Sequence, residues 1–110
     1  MELTVLREPT HTIAAVTGRI DTTTAADFEK QCMELLASDT PGLLLDCARI
    51  DYISSAGLRS VLVLAKQAAA SSKAFGLCGL SGMVADVFAL AGFDQVLPVY
   101  TAAADFHPEE

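Results

Sequence analysis

The stretch LDCARIDYISSAGLRSVLVL, residues 45–64, decides how the chain is read. Leu43, Leu44 and Leu45 lead into it as an apolar, strand-like run, a short polar connection follows, and then come Ser54 and Ser55. Beyond the serines, Leu58, Val61, Leu62 and Ala65 recur at steps of three and four. That change of period from strand to helix places both serines at a helix N-terminus. The opening N–H groups of a helix lack internal partners and carry partial positive charge, so a hydroxyl there caps the helix and an added phosphate is tolerated.

Working outward, the helix after the serines is expected from Ser55 to about Ser71. Val63 and Leu64 widen its apolar surface beyond one stripe, so part of that surface is buried or used. The run Leu43 to Asp46 is apolar on both faces, the habit of a central strand covered by helices. Downstream, Ala74 to Cys78 reads as another buried strand, and Ser81 as the cap of a helix whose face is Val84, Val87, Phe88 and Ala91. Gly92 falls where a left-handed residue ends a helix. Val96 to Val99 is expected as a short last strand, at an edge because of Pro98. A final helical turn or two over Thr101 to Phe106 and a frayed end, His107 to Glu110, complete the chain.

Upstream, Glu2 to Arg7 and Thr12 to Val16 form an expected antiparallel hairpin turning at Glu8-Pro9-Thr10-His11, with Gly18 ending its second strand. Asp21 to Thr24 supply N-caps for a helix from about Thr23 to Ala37, which buries Phe28, Cys32, Leu35 and Leu36. The expected architecture is one α/β domain, residues 1–110. It has a mixed four- to five-stranded sheet, an N-terminal antiparallel hairpin and about four helices packed mainly on one face.

Fourteen acidic against seven basic residues give a formal charge of -7, the wrong sign for a nucleic-acid partner, and no basic cluster offsets it. Cys32, Cys47 and Cys78 are scattered among apolar neighbours and read as small buried thiols, which suits a reducing cytoplasm. The N-terminus lacks a signal-peptide pattern, and the longest uncharged apolar stretch, Ala74 to Ala85, is well short of the ~20 residues of a membrane span. No membrane insertion is expected.

An enzyme would need a base for Ser54 or Ser55, and a strained elbow would show flanking glycines, of which only Gly57 is present. His11 in the first turn and His107 at the end both read as solvated surface residues. No grouping of His, Cys and carboxylates suggests a metal, and no Gly-rich phosphate loop suggests a nucleotide, so neither catalysis nor a cofactor is expected.

Tyr52-Ile53-Ser54-Ser55-Ala56-Gly57-Leu58, with Leu43-Leu44-Leu45-Asp46 before it and Thr17-Gly18-Arg19-Ile20-Asp21 further upstream, resembles a STAS domain, the sulphate transporter and anti-sigma factor antagonist family. The resemblance extends to Ala89-Leu90-Ala91-Gly92-Phe93 and so covers nearly the whole chain. It implies a stand-alone bacterial anti-sigma factor antagonist, monomeric when free. The implied partners are an anti-sigma factor serine kinase of ATPase-like fold and a phosphoserine phosphatase. The better-known members carry Asp-Ser-[Ser/Thr]-Gly-Leu, in which the serine after the aspartate is phosphorylated. With Gly57 and Leu58 as anchors, the acceptor position falls on Ser55, with Ser54 as the alternative because it stands where the aspartate would be.

The resemblance also places Asp21, with Thr22 and Thr23, on the partner-facing surface together with Ser54, Ser55, Ala56, Gly57, Leu58 and Arg59. Asp21 reads equally as a local helix-capping or turn residue. Ala56 and Gly57 leave little side chain in a partner's way, and Arg59 suits partner carboxylates, a phosphate or plain solvent. The replacement at position 54 supports an alternative, a non-phosphorylated adaptor subunit of a transporter or signalling complex.

Overall fold

A computed structural model describes residues 1–106 of the chain; the expected fraying of residues 107–110 lies outside them. Five strands, β1 (Glu2–Arg7), β2 (Thr12–Ile20), β3 (Gly42–Ile53), β4 (Ala74–Cys78) and β5 (Val99–Tyr100), form one sheet in sequential order. β1 pairs antiparallel with β2, and the other neighbours are parallel. The parallel steps are bridged by α1 (Ala25–Ala37), α2 (Ser55–Ala70) and α3 (Gly82–Leu90). Crossovers of one hand that step the same way across a sheet leave their helices on the same face. There Phe28, Cys32 and Leu35 of α1, Val61, Leu64 and Ala68 of α2, and Val84 and Phe88 of α3 bury against Val16, Ile20, Leu43, Leu45, Ile53, Phe75 and Leu77.

The helix count is lower than expected. Among the described residues three α-helices are present, and the remaining helical segments are single 3-10 turns at Phe93–Gln95 and Ala103–Asp105. Gly92 does adopt a left-handed conformation (φ 78°), and the chain turns there and winds through Phe93–Gln95, so Val96 lies outside the sheet. β5 is consequently shorter than expected, although it does form an edge and Pro98 accepts a hydrogen bond from the Leu77 N–H at 3.0 Å. Ser81 begins α3 but makes no side-chain cap bond.

Two strand ends also differ. Gly18 does not stop β2; at φ 97° it sits beside a register shift between Gly18 and Arg19, and Arg19 and Ile20 pair again with Tyr52 and Ile53. A glycine in a strand pattern served as a bulge rather than a breaker. The polar stretch after Asp46 is likewise strand, because its backbone pairs with the bulged end of β2 and Ile50 and Ile53 bury beneath the helices.

The second sheet face carries a smaller apolar cluster of Ile13, Leu44, Cys78 and Phe106. His11 belongs to it, contrary to its reading as a solvated residue. The residue is 9 % exposed, and its ring meets Phe106 edge-on at 5.0 Å with Nδ1 2.9 Å from Thr10 Oγ1. The contact joins the first turn to residues near the chain's other end, a pairing with no local signature.

All three cysteines are buried free thiols. Burial pushes the Cys32 thiol up to about 12. Cys78 rises to about 11 through burial and then the neighbouring Asp46 carboxylate. Cys47 is displaced upward as well, chiefly by burial. None is a thiolate near neutral pH, so they serve as packing groups.

Candidate functional site at the start of helix α2

Ser54 is the N-cap of α2 and Ser55 its first helical residue. The Ser54 backbone is extended, and its Oγ accepts a hydrogen bond from the Gly57 N–H at 3.2 Å, while its carbonyl accepts from Leu58 at 2.9 Å. The Ser54 hydroxyl is thus committed to the cap. Ser55 is exposed and has no such duty. The N–H groups of Ser55 and Ala56 belong to the opening turn, which has no preceding residues to accept from them. No acidic side chain of α2 itself stands in that turn.

The Asp21 loop is joined to this corner through the backbone. Ser54 N–H donates to the carbonyl of Ile20, the last residue of β2, at 2.8 Å. Asp21, Thr22 and Thr23 therefore emerge beside Ser54 and Ser55 where β2 and β3 end. Asp21 Oδ1 accepts from the Thr23 N–H at 2.9 Å and from the Thr23 hydroxyl at 2.6 Å. These bonds, the Thr23 hydroxyl first, hold its carboxyl below the usual carboxylate range. Asp21 thus shapes its own turn while keeping its carboxylate partly exposed, and Thr22 and Thr23 are exposed.

Gly57 is not part of the surface. It is buried, and a Cβ there would lie 2.7 Å from Ile53 Cγ1, 2.8 Å from Ile20 Cγ2 and 3.1 Å from the Ile20 carbonyl oxygen. Glycine is required because the first turn of α2 sits directly on the ends of β2 and β3. Ala56 and Leu58 are half-buried and pack against the core, whereas Arg59 is exposed one turn along from Ser55.

Two further side chains reach this corner, although the sequence marked them only as part of the family resemblance and not as site residues. Arg19 places its guanidinium 4.3 Å from the centre of the Tyr52 ring, and its Nε is 3.7 Å from Asp21 Oδ2. Arg19 and Tyr52 are register partners across β2 and β3, and that register depends on the Gly18 bulge, so spacing along the sequence does not reveal the pair.

A serine–histidine pair involving His11 is excluded by position. His11 precedes β2 and Ser54 bonds to the other end of that strand, which is nine residues long, or roughly 30 Å. His107 lies outside the described residues. Among the described residues no group of three His, Cys, Asp or Glu is placed to hold a metal, and no helix is long and apolar enough to cross a membrane. Grooves elsewhere, of about 540 Å³ beside the β1–β2 turn and about 360 Å³ between α2 and the segment after α3, do not include Ser54 or Ser55.

The family model described as STAS domain matches residues 2–106. BtrV of Bordetella bronchiseptica, which carries the name of an anti-sigma factor antagonist, is 35% identical over 99 residues, covering 90% of this chain and 85% of BtrV. Among solved structures, an anti-sigma factor antagonist from Mycobacterium paratuberculosis superposes with a TM-score of 0.86 at 22% identity, covering 94% of this chain and 88% of that one. The Bacillus cell fate determinant SpoIIAA, in its phosphorylated form, superposes at 0.71 with 13% identity over 94% of this chain and 95% of its own. With a parallel sheet, one antiparallel edge and the serine corner at the start of α2, the chain belongs to the STAS domain family.

Proposed function

We propose that this protein is an anti-sigma factor antagonist that binds an anti-sigma factor of ATPase-like kinase fold through the Asp21–Ser55 corner, and that phosphorylation of Ser55 ends the complex. The observation that carries the reading is the division of labour between the two serines: Ser54 is held as the helix cap, while Ser55 is exposed. The 35% identity to BtrV, over most of both chains, supports the antagonist assignment. That SpoIIAA has been solved in a phosphorylated form supports a phosphate switch on this fold.

Physically, a phosphoserine brings about -1.5 to -2 charges and a strongly hydrated group to a surface that must otherwise pack on a partner. The start of α2 favours that charge, so the fold survives the modification. Binding suffers, because the phosphate must be desolvated or brought against partner carboxylates, at a cost of several kcal/mol. In this reading the chain is a kinase's substrate and binding partner, acting in the cytoplasm, and a phosphatase resets it.

The test is incubation with ATP and the kinase-fold anti-sigma factor encoded in the same genome, followed by phosphopeptide mapping of the wild type, Ser54→Ala and Ser55→Ala. Phosphate is expected on Ser55 in the first two and on neither serine in the third. Absence of phosphate from both serines of the wild type removes the switch; phosphate on Ser54 alone contradicts the division of labour.

A further inference from the structure

Charge is unevenly distributed along this chain. All fourteen acidic residues lie outside the segment Tyr52 to Ala85, which contains three cations, Arg59, Lys66 and Lys73. The net charge of -7 is therefore carried by the rest of the chain. Lys73 is occupied internally, donating to the carbonyls of Leu36 and Ser38 where α1 ends. Arg59 and Lys66 are exposed.

Helix α2 has two seams. Gly57, Val61, Leu64 and Ala68 are buried against the sheet and α1. Ser55, Arg59, Leu62, Lys66 and Ala69 also recur at alternating steps of four and three; the first four each stand two residues from a buried one, and Ala69 directly follows buried Ala68. At 100° per residue this puts Ser55, Arg59, Leu62 and Lys66 roughly opposite the buried seam, with Ala69 on its flank. Leu62 is half-buried, and the rest of the outer seam is exposed. Towards the C-terminal end of α2 the seam borders the groove of about 360 Å³, whose apolar wall includes Leu62, Ala65, Phe75, Val96 and Leu97, with Lys66 and Lys73 as its charged residues. Val96 is 68% exposed, an apolar side chain left open at the groove's edge.

We propose that this outer seam and groove dock an amphipathic, acid-flanked helix of the anti-sigma factor, laid along α2 from Ser55 towards Val96. This rests on the function proposed above and names the chemistry of the partner. Charge complementarity selects the occupant. Arg59 and Lys66 stand two helical turns apart, about 10 Å, and match carboxylates of the same spacing on a second helix, while the acidic remainder of the chain repels such a segment. The alternating steps of four and three suit a helix as the facing element. The seam also begins at Ser55. A phosphate there enters the same track as the partner's carboxylates, which gives phosphorylation its leverage through like-charge repulsion.

The test uses two synthetic helical peptides, each with leucines at i, i+3, i+4 and i+7, one flanked by glutamates and its twin by lysines, titrated into the 15N-labelled chain. The glutamate peptide is expected to shift the amides of Leu62, Ala65, Lys66, Ala69 and Leu97, the lysine twin to leave them in place, and Lys66→Glu to reverse that preference. Equal response to both peptides, response elsewhere, or no response to either overturns the proposal. In parallel, Lys66→Glu is expected to weaken binding of the anti-sigma factor by on the order of tenfold, the equivalent of one lost charge pair. If Ser55→Asp abolishes that binding and Lys66→Glu leaves it intact, the docking surface is wrong and the serine switch stands. If Lys66→Glu weakens binding and Ser55→Asp does not, the switch is wrong and the surface stands.

Discussion

Gly57→Ala places a methyl group 2.7 Å from Ile53 Cγ1 and 2.8 Å from Ile20 Cγ2. Neither isoleucine can swing into solvent, because they are 4 % and 0 % exposed. The third contact, at 3.1 Å, is to the Ile20 carbonyl oxygen, which is fixed by its hydrogen bond from Ser54. Relief therefore requires the first turn of α2 to lift from the sheet ends, and overpacking of this kind costs about 1–3 kcal/mol. Against it stands the helix preference of alanine over glycine, at most about 1 kcal/mol and smaller in a first turn. The net expectation is a loss of about 1–2 kcal/mol, which lowers the melting temperature of a domain this size by roughly 4–8 °C. Calorimetry or urea denaturation measures it. A variant as stable as the wild type, or more so, would refute the packing explanation and return Gly57 to the role of a surface spacer.

Ser54→Ala removes the cap bond to Gly57 and is expected to cost about 1 kcal/mol in urea unfolding while leaving Ser55 available to a kinase. Asp21 contributes stability above its unfolded pKa of about 3.9, and that contribution disappears as pH falls through the lower folded value. The unfolded chain binds more protons in that window, so stability rises with pH there, and Asp21→Asn is expected to flatten the acid limb of a thermal-shift profile. The three thiols are expected to resist iodoacetamide at pH 7.5 in the native protein and to react together once unfolded; a fast-reacting native thiol would contradict the upward displacement of Cys32 and Cys78.

Periodicity alone located the helices well. Phe28, Cys32, Leu35 and Leu36 repeat around one face of α1, and the serine pair marks the start of α2 within a residue. The strands after Gly18 and after Asp46 were less legible, because a bulge glycine and a polar run join the sheet only through pairing with each other across some thirty positions. The same non-local pairing hid Arg19 and Tyr52, and the burial of His11 depends on Phe106. At the site, Ser55 and Asp21 were visible as residues, but which serine carries the cap is a matter of hydrogen-bond geometry. The reason for Gly57 is likewise a matter of packing against two isoleucines from different strands.

The switch itself is tested by measuring the Kd of the anti-sigma factor for two forms of the chain, unmodified and carrying phosphoserine installed at position 55 during synthesis. A penalty of several kcal/mol, at 1.4 kcal/mol per tenfold, predicts a loss of roughly a hundredfold or more in affinity with an unchanged melting temperature. Equal affinity for both forms would show that phosphate at Ser55 does not control the complex.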